Sequence, residues 1–364
     1  MEQSLYAQYV NKYFPALVTS VVERLNEQQR TTLPYLYRDL LERVYSADGR
    51  WASILAEYTR VAADVISLDS ELPIKSRDAI EHAQGEIPKI GVKVYMTEKQ
   101  MKDLDAMIAL NQPTARILQT MFADLRRVIE AVYERIEDIF LSELSSGVGV
   151  STRNNGTGVR INMNFLAKNQ FGVKELWSDV DKSTPLDDLQ KIFDQAMEDG
   201  NNITDVYADD TWLRGFYNSK QVRGQYAFNM GVAVPNGSAF PILDFDKAAQ
   251  VMLTKWGVTL HRVARKVKTE INGTKTNHTP WATGVASFIC DPTVGSLIWT
   301  LCAEATRPVA GVEYVEADEF ILASRYSTND PLREFTASQA MAIPVLNNVD
   351  RIYTLNSTEK QEQS

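Results

Sequence analysis

Three residues of this chain supply the side-chain types of a nucleophilic triad. His261, Ser287 and Asp291 provide an imidazole, a hydroxyl and a carboxylate, the set that activates a serine for acyl transfer. Ser287 lies in an apolar, strand-like run, and no Gly-x-Ser-x-Gly turn surrounds it. A serine at a strained nucleophile elbow is therefore not indicated. The pattern favours a buried structural serine over a hydrolase.

Two short patterns have the spacing of ligand sites. Asp244-x-Asp246 places two carboxylates close together, but no histidine or third carboxylate lies nearby in sequence. A turn residue and a helix N-cap, for which Asp246 is well placed, explain the pair without a metal. Gly147-x-Gly149 follows a predicted helix and lacks the Lys-Ser/Thr of a phosphate-binding loop. We expect no metal and no cofactor.

Basic residues cluster in one segment. Arg262, Arg265, Lys266 and Lys268 are followed by a single acid, Glu270. The cluster fits a solvated face that pairs with neighbouring acids, or a contact with nucleic acid. The whole chain carries 38 basic and 47 acidic residues, a formal charge of 38 − 47 = −9. That balance argues against a protein that grips duplex DNA, which requires a basic footprint.

Composition excludes several classes of protein. The 364 residues include two cysteines, Cys290 and Cys302, and three histidines, so neither a disulfide framework nor a zinc finger is indicated. Both cysteines have apolar neighbours and are expected to be small buried hydrophobes. No apolar run reaches the roughly 18 residues of a membrane span. The N-terminus lacks the basic and apolar regions of a signal peptide.

The strongest structural signal lies between Ile117 and Phe140. Apolar residues recur there in alternating steps of three and four, the period of an amphipathic helix. The pattern predicts one helix over 114–146, about 48 Å long, ending at the C-cap residue Gly147. A helix of this length is a spine for a domain. It could also form a coiled-coil seam, but the 3.6-residue period and the strands that follow favour packing on a sheet.

Strand-like segments precede this helix. Val65–Leu68 and Ile90–Met96 flank a polar stretch of about 20 residues, too long for a tight hairpin and typical of a functional arm. Such an arm buries little of itself, so its partner surface is expected on another copy. Thr97 and Gln100 form a capping-box pattern at the start of the next helix.

Later elements complete an α+β pattern. A helix is predicted over 185–200, and Asp209-Asp210 would cap a second helix that ends near Tyr217. Two apolar runs, Phe320–Ala323 and Ile352–Leu355, are predicted as late strands. No catalytic constellation stands out among these elements.

Several short motifs occur in a fixed order from the predicted spine helix onward. They are Arg135-x-Glu137 with Leu144-Ser145-Ser146-Gly147, then Trp177-Ser178-Asp179, then Pro185-Leu186-Asp187-Asp188-Leu189, and finally Asp330-Pro331 with Ala342-Ile343-Pro344-Val345. In this order they resemble the motifs of tailed-phage major capsid proteins with the HK97-like fold, in particular the major capsid protein E family. The stretch from Gly231 to Ile321 is similar only in general character.

The resemblance implies an α+β, HK97-like domain organisation. The expected parts are an N-terminal arm (1–60), an extended E-loop (61–96), and a P-domain (97–200) with the spine helix 114–146. An A-domain (201–335), a return to the P-domain (336–356) and a polar C-terminal tail (357–364) follow.

The resemblance also implies a function. The protein would assemble as pentamers and hexamers into an icosahedral head shell around packaged double-stranded phage DNA, without catalysis. Its partners would be further copies of itself, a scaffolding protein, a portal and decoration proteins. Packaged DNA would lie near it without specific contact, and no membrane would be involved. The protein would be assembled in the cytoplasm of a host bacterium and reside in the virion.

The resemblance points to assembly contacts on the E-loop and the spine end. The candidates are Lys75, Arg77, Lys89, Lys93, Arg135 and Glu137. About 60 residues precede the E-loop, too few for a fused scaffolding domain, so a separate scaffolding protein is expected. E-loop lysines are available for covalent cross-linking between subunits, but we do not expect it here. The alternatives are an encapsulin-like compartment shell, or a hydrolase using His261 or the Asp244/Asp246 loop.

Overall fold

Helices and strands are mixed along the whole chain. The computed structural model describes residues 1–29, 35–56, 80–151, 159–231, 240–271 and 273–361. The α-helices are α1 (Ala7–Gln29), α2 (Leu36–Leu40), α3 (Glu98–Ala109), α4 (Thr114–Met121), α5 (Leu125–Ser146), α6 (Pro185–Glu198), α7 (Asp210–Asn218), α8 (Lys220–Asn229), α9 (Phe245–Trp256) and α10 (Ala303–Thr306). Short 3₁₀ turns lie at Ala167–Asn169 and Val349–Arg351.

The strands are distributed over most of the sequence. They are β1 (Leu41–Tyr45), β2 (Arg50–Ala56), β3 (Ile80–Glu86), β4 (Lys89–Met96), β5 (Val148–Ser151), β6 (Val159–Asn162), β7 (Gln170–Val173), β8 (Asp205–Ala208), β9 (Thr259–Arg262), β10 (Val267–Ile271), β11 (Thr274–His278), β12 (Val285–Ile289), β13 (Gly295–Thr300), β14 (Glu313–Ala317), β15 (Ile321–Asn329), β16 (Leu332–Leu346) and β17 (Ile352–Lys360). β4 confirms the strand predicted at 90–96.

The chain divides into two units, each assembled from three stretches of sequence. Unit 1 comprises Met1–Trp51, Gly85–Ile139 and Ser296–Val345, and unit 2 comprises Ala52–Gln84, Phe140–Gly295 and Leu346–Ser364. The domain boundaries implied by the resemblance stay predictions.

The sheet of unit 1 is built around the long strand β16. Its strand order is β1-β13-β16-β15-β14, and β4 also pairs with β16. β15 and β16 form an antiparallel hairpin whose register runs from Ile321↔Ala340 to Asn329↔Leu332. β4 returns from the predicted E-loop and pairs with β16 from Lys89↔Met341 to Met96↔Glu334. The C-terminal strand of the predicted E-loop, β4, is therefore held in the six-stranded sheet of unit 1.

The predicted spine helix is two helices rather than one. α4 ends at Met121 and α5 begins at Leu125, so the prediction of a single helix over 114–146 was wrong at residues 122–124. At the break between α4 and α5, the Met121 carbonyl accepts a hydrogen bond from Arg325 Nη1 at 2.8 Å. The predicted C-cap is confirmed: Gly147 has φ +71° and donates its N–H to the Glu143 carbonyl at 2.7 Å.

Unit 2 contains a mixed five-stranded sheet and an aromatic core. The strand order is β7-β17-β12-β8-β9, with parallel pairs at β7/β17 and β8/β9 and antiparallel pairs between. Trp177, Trp212 and Phe216 are buried, and the two indole rings lie 4.8 Å apart between centroids. Asp209 caps α7 by accepting N–H groups of Thr211 and Trp212, as predicted.

Two further predictions need comment. The segment predicted as a polar tail, 357–364, begins inside β17, which runs to Lys360 and pairs there with Val173 of β7. The strand predicted at Val65–Leu68 lies outside the described residues. Within the described chain, no helix is long and apolar enough to span a membrane.

Candidate assembly surfaces

The predicted contact residues at the spine end are engaged within the chain. Glu137 is 1% exposed, and its carboxylate oxygens accept the N–H groups of Leu36 and Tyr37 at 3.0 and 3.1 Å. These N–H groups begin α2, whose N-cap residue makes no side-chain cap. Glu137, which lies on α5, therefore caps the N-terminus of α2. A negative charge at this end also interacts favourably with the α2 helix dipole. Arg135 pairs with Asp138 at 2.6 Å.

A charged and aromatic cluster packs beside this cap in unit 1. Asp318 accepts the Tyr133 hydroxyl at 2.7 Å and pairs with Arg38 at 3.2 Å and Arg43 at 3.0 Å. The Arg38 guanidinium lies 4.4 Å from the centre of the Tyr133 ring. Burial, followed by the Asp318 carboxylate, raises the pKa of Tyr133 far above its ordinary value. The phenol stays protonated and can only donate to Asp318.

The described E-loop candidates lie on β4 at the base of the loop. Lys89 forms an ion pair with Glu304 at 2.5 Å, and its side chain is 45% exposed. Lys93 is exposed, and its ammonium lies 5.3 Å from the centre of the Phe335 ring. Both cations retain access to solvent while their strand is held by β16. Lys75 and Arg77 lie outside the described residues, and the role of all six candidates in assembly stays a prediction.

The N-terminal residues cover a buried ion pair that sequence reasoning missed. Arg325 and Glu334 are fully buried and pair at 3.0 Å. Ser4 Oγ donates to Glu334 Oε1, and the N–H of Leu5 donates to Glu334 Oε2 at 3.1 Å. Glu2 also forms an antiparallel bridge with Ser327. The available signal was Arg325 itself, which follows the predicted strand Phe320–Ala323 by two residues.

Large apolar side chains are exposed on unit 2. Phe228 and Met230 at the end of α8 are 80% and 54% exposed, and Ile242 is 83% exposed. Arg223 holds the segment before Ile242 against α8, because Nε donates to the Pro241 carbonyl at 2.8 Å. Exposed apolar side chains of this size are typical of contact surfaces when they form a patch.

The three triad residues do not form a catalytic site. His261, Tyr207 and Ser287 occupy one cross-strand row of the unit 2 sheet, which places His261 two strands, about 10 Å, from Ser287. The Tyr207 ring stacks on His261 at 4.5 Å, and His261 Nε2 contacts Asp205 Oδ1 at 2.7 Å. Ser287 is buried and donates to the Leu144 carbonyl at 2.7 Å. Asp291 pairs with Arg351, outside any triad.

The remaining chemical candidates also have structural roles. Asp244, not Asp246, is the N-cap of α9 and accepts the N–H of Lys247 at 3.0 Å; the prediction was two residues late. Among the described residues, no cluster of acidic, histidine or cysteine side chains could hold a metal ion. Arg262 of the basic cluster forms two hydrogen bonds with Asp210, at 2.5 and 2.9 Å, and these lower the pKa of that carboxyl.

Both cysteines are buried thiols. Cys290 is 7% and Cys302 is 3% exposed. Burial raises the pKa of Cys290 to about 12 and that of Cys302 to about 11. Neither thiol is a nucleophile at neutral pH, because the reactive species is the thiolate. The sequence prediction of two small buried hydrophobes is confirmed.

A comparison with protein families identifies the chain. The family described as "Phage major capsid protein E" matches residues 55–357, which include β4, the spine helices and nearly all of unit 2. The chain belongs to this family. The capsid role that the motifs implied is therefore confirmed at the level of the family: the protein is a structural component of a phage capsid, formed from many copies of one chain. No curated protein matches the sequence.

Several solved structures are similar to this chain over most of its length. The putative capsid protein of a prophage from E. coli CFT073 is 15% identical, with a TM-score of 0.58, over 98% of this chain and 99% of that one. The satellite phage P4 procapsid is 10% identical over 93% and 91% of the chains, with a TM-score of 0.48. The SrpI encapsulin complex from Synechococcus elongatus PCC 7942 is 13% identical over 92% of each, with a TM-score of 0.44. The predicted HK97-like capsid fold is confirmed, and the prophage protein carries that argument.

Proposed function

We propose that this capsid protein assembles as pentamers and hexamers into an icosahedral head shell that encloses packaged double-stranded DNA. The observation that carries the proposal is the family match over residues 55–357, together with a fold shared end to end with a prophage capsid protein. A closed shell of one chain needs several modest contacts per copy, and their multivalency replaces strong single contacts.

The charge of the chain supports a DNA container. The chain as a whole has a formal charge of −9, which disfavours tight binding of DNA phosphates and suits a container from which packaged DNA must later leave. Arg262, the first residue of the basic cluster, is already paired with Asp210. Phosphate binding would need free cations in a continuous track.

The proposed shell is structural and has further protein partners. The side chains with catalytic potential, His261 and Ser287, are committed to other contacts. We expect a separate scaffolding protein, a portal and decoration proteins, with assembly in the host cytoplasm. We expect no covalent cross-link through Lys89, because its side chain is already paired with Glu304 within the chain.

The experiment is to produce the protein together with its neighbouring gene products and examine the particles by cryo-electron microscopy. The expected result is a shell with pentamers at the vertices and hexamers between them, containing nuclease-protected DNA after packaging. Shells that contain protein cargo and never DNA would contradict the proposal in favour of a compartment. A ladder of covalent oligomers on a denaturing gel would contradict the absence of cross-linking.

A further inference from the structure

The β10/β11 ribbon stands apart from both larger sheets. Its strands pair only with each other, from Val267↔His278 to Ile271↔Thr274. All five residues of β11 are exposed, whereas Val267 at the start of β10 is buried. A two-stranded hairpin alone is marginally stable in water and needs a further surface to pack against. Apart from Val267, the ribbon residues whose burial is described are exposed or only partly buried.

The two sides of the ribbon differ in chemistry. Because side chains alternate along a strand, Thr269 and Thr276 share one side, where their hydroxyls lie 3.1 Å apart. Lys268, Glu270 and Lys275 share the other side, and Lys275 lies 3.8 Å from Glu270. Lys268 forms no ion pair with any described carboxylate. This side carries a net positive charge on a chain whose total is −9.

Unit 2 carries an acidic surface with the opposite pattern. Along α6 the residues Asp187, Lys191, Asp194 and Glu198 follow one another at steps of four, three and four, which places them on one helix face. All of them are exposed. This face of α6 carries three carboxylates and one lysine, so its net charge is negative. The charged side of the ribbon carries two lysines and one glutamate, so its net charge is positive.

We propose that the charged side of the β10/β11 ribbon docks on the outer face of α6 of an adjacent copy in the shell. This inference rests on the proposed shell, in which every copy meets identical neighbours. Each chain carries both surfaces, so the contact is head-to-tail and repeats around a ring. Glu270 lies between the two lysines, which suits a partner of mixed charge. A nucleic acid would be matched by an unbroken row of cations.

The test is charge reversal followed by complementary reversal. The variant Lys268→Glu/Lys275→Glu places like charges against α6, and because like charges repel across an interface we expect at least about a tenfold lower yield of sedimenting particles. Adding Asp194→Lys/Glu198→Lys restores opposite charges and is expected to recover most of the yield. The control Lys99→Glu/Lys102→Glu makes the same charge change on exposed positions of α3 and should assemble like wild type.

Three outcomes would overturn the inference. Ribbon variants that assemble like wild type would show that the ribbon is not a contact. A loss of assembly that the α6 reversal fails to recover would assign the ribbon a different partner. Normal shells that package less DNA would indicate a nucleic-acid contact. Failure of the wild-type protein to form shells under the same conditions would instead contradict the proposed function, so the two failures are distinguishable.

Discussion

Glu143 is a carboxylic acid buried near the end of α5 without a described partner. It is fully buried, and neither carboxylate oxygen has a hydrogen bond among the described residues. A Cβ at Gly149 would overlap its carboxylate, so this glycine is required by packing rather than by a phosphate. Burial alone raises the pKa of Glu143 well above its ordinary value. Burial therefore favours the protonated acid of Glu143 over its carboxylate.

This carboxyl makes the stability of the subunit depend on pH. An unfolded glutamate releases its proton above about pH 4.3, whereas the folded protein retains it, so stability falls as pH rises above that value. We expect Glu143→Gln to match wild type near pH 5 and to be more stable at pH 8. Urea midpoints of the unassembled subunit measured from pH 5 to pH 8 test this. Exposed Glu198→Gln should follow wild type, and a wild-type slope in Glu143→Gln would contradict the assignment.

The buried pair of Arg325 and Glu334 gives a second prediction at the same scale. Arg325→Met leaves Glu334 charged and buried without its cation, which typically costs about 3–5 kcal/mol. The double variant Arg325→Met/Glu334→Met removes both charges and should lose much less. The denaturant midpoints of the single and double variants, each compared with wild type, measure the two losses of stability. Equal losses in the single and double variants would mean that packing, not the uncompensated charge, is responsible.

Sequence patterns were informative for single residues where the rule is local. The capping box of Thr97 and Gln100 and the αL C-cap at Gly147 are present as predicted, because each depends on residues within one turn. Glu137 contacts Leu36, 101 positions away, and Arg325 contacts the Met121 carbonyl, 204 positions away. No local sequence pattern indicates contacts over such a separation, so these contacts become visible only in the folded structure.

At the scale of elements, Glu137 links the spine helix α5 to α2. Because its carboxylate accepts the first N–H groups of α2, Glu137→Ala should destabilise the isolated subunit by about 1.5–3 kcal/mol, as expected for hydrogen bonds to a charged group. Thermal or urea unfolding of the unassembled protein measures this. If Glu137 acted only in assembly, Glu137→Ala would leave subunit stability unchanged and reduce assembly. The same change at an exposed position, Glu198→Ala, is the matched control for subunit stability.

The strands of the unit 1 sheet were largely missed, for a physical reason. β16 runs over 15 residues, yet Thr336 and Ser338 on it are buried, as are Ser324 and Ser327 on β15. These small polar residues break the apolar alternation by which a strand is recognised in sequence. The spine was predicted as continuous because Phe122 and Leu125 keep the apolar period across the break, which periodicity alone does not reveal.

At the scale of the whole molecule, the family and fold followed from motif order rather than from any site. No single motif among residues 135–345 was specific, but several in one order identified the family, which matches residues 55–357. The contacts between copies stay predictions, because one chain's sequence does not say which of its exposed residues face a neighbour.

A capsid protein of this family must assemble with copies of itself. The most direct measurement is sedimentation velocity of the purified full-length protein over a concentration series, with negative-stain electron microscopy of each boundary. We expect rings, tubes or shells whose amount grows with concentration and which become uniform shells when the neighbouring gene products are present. A monodisperse monomer at every concentration, unchanged by those gene products, would contradict it.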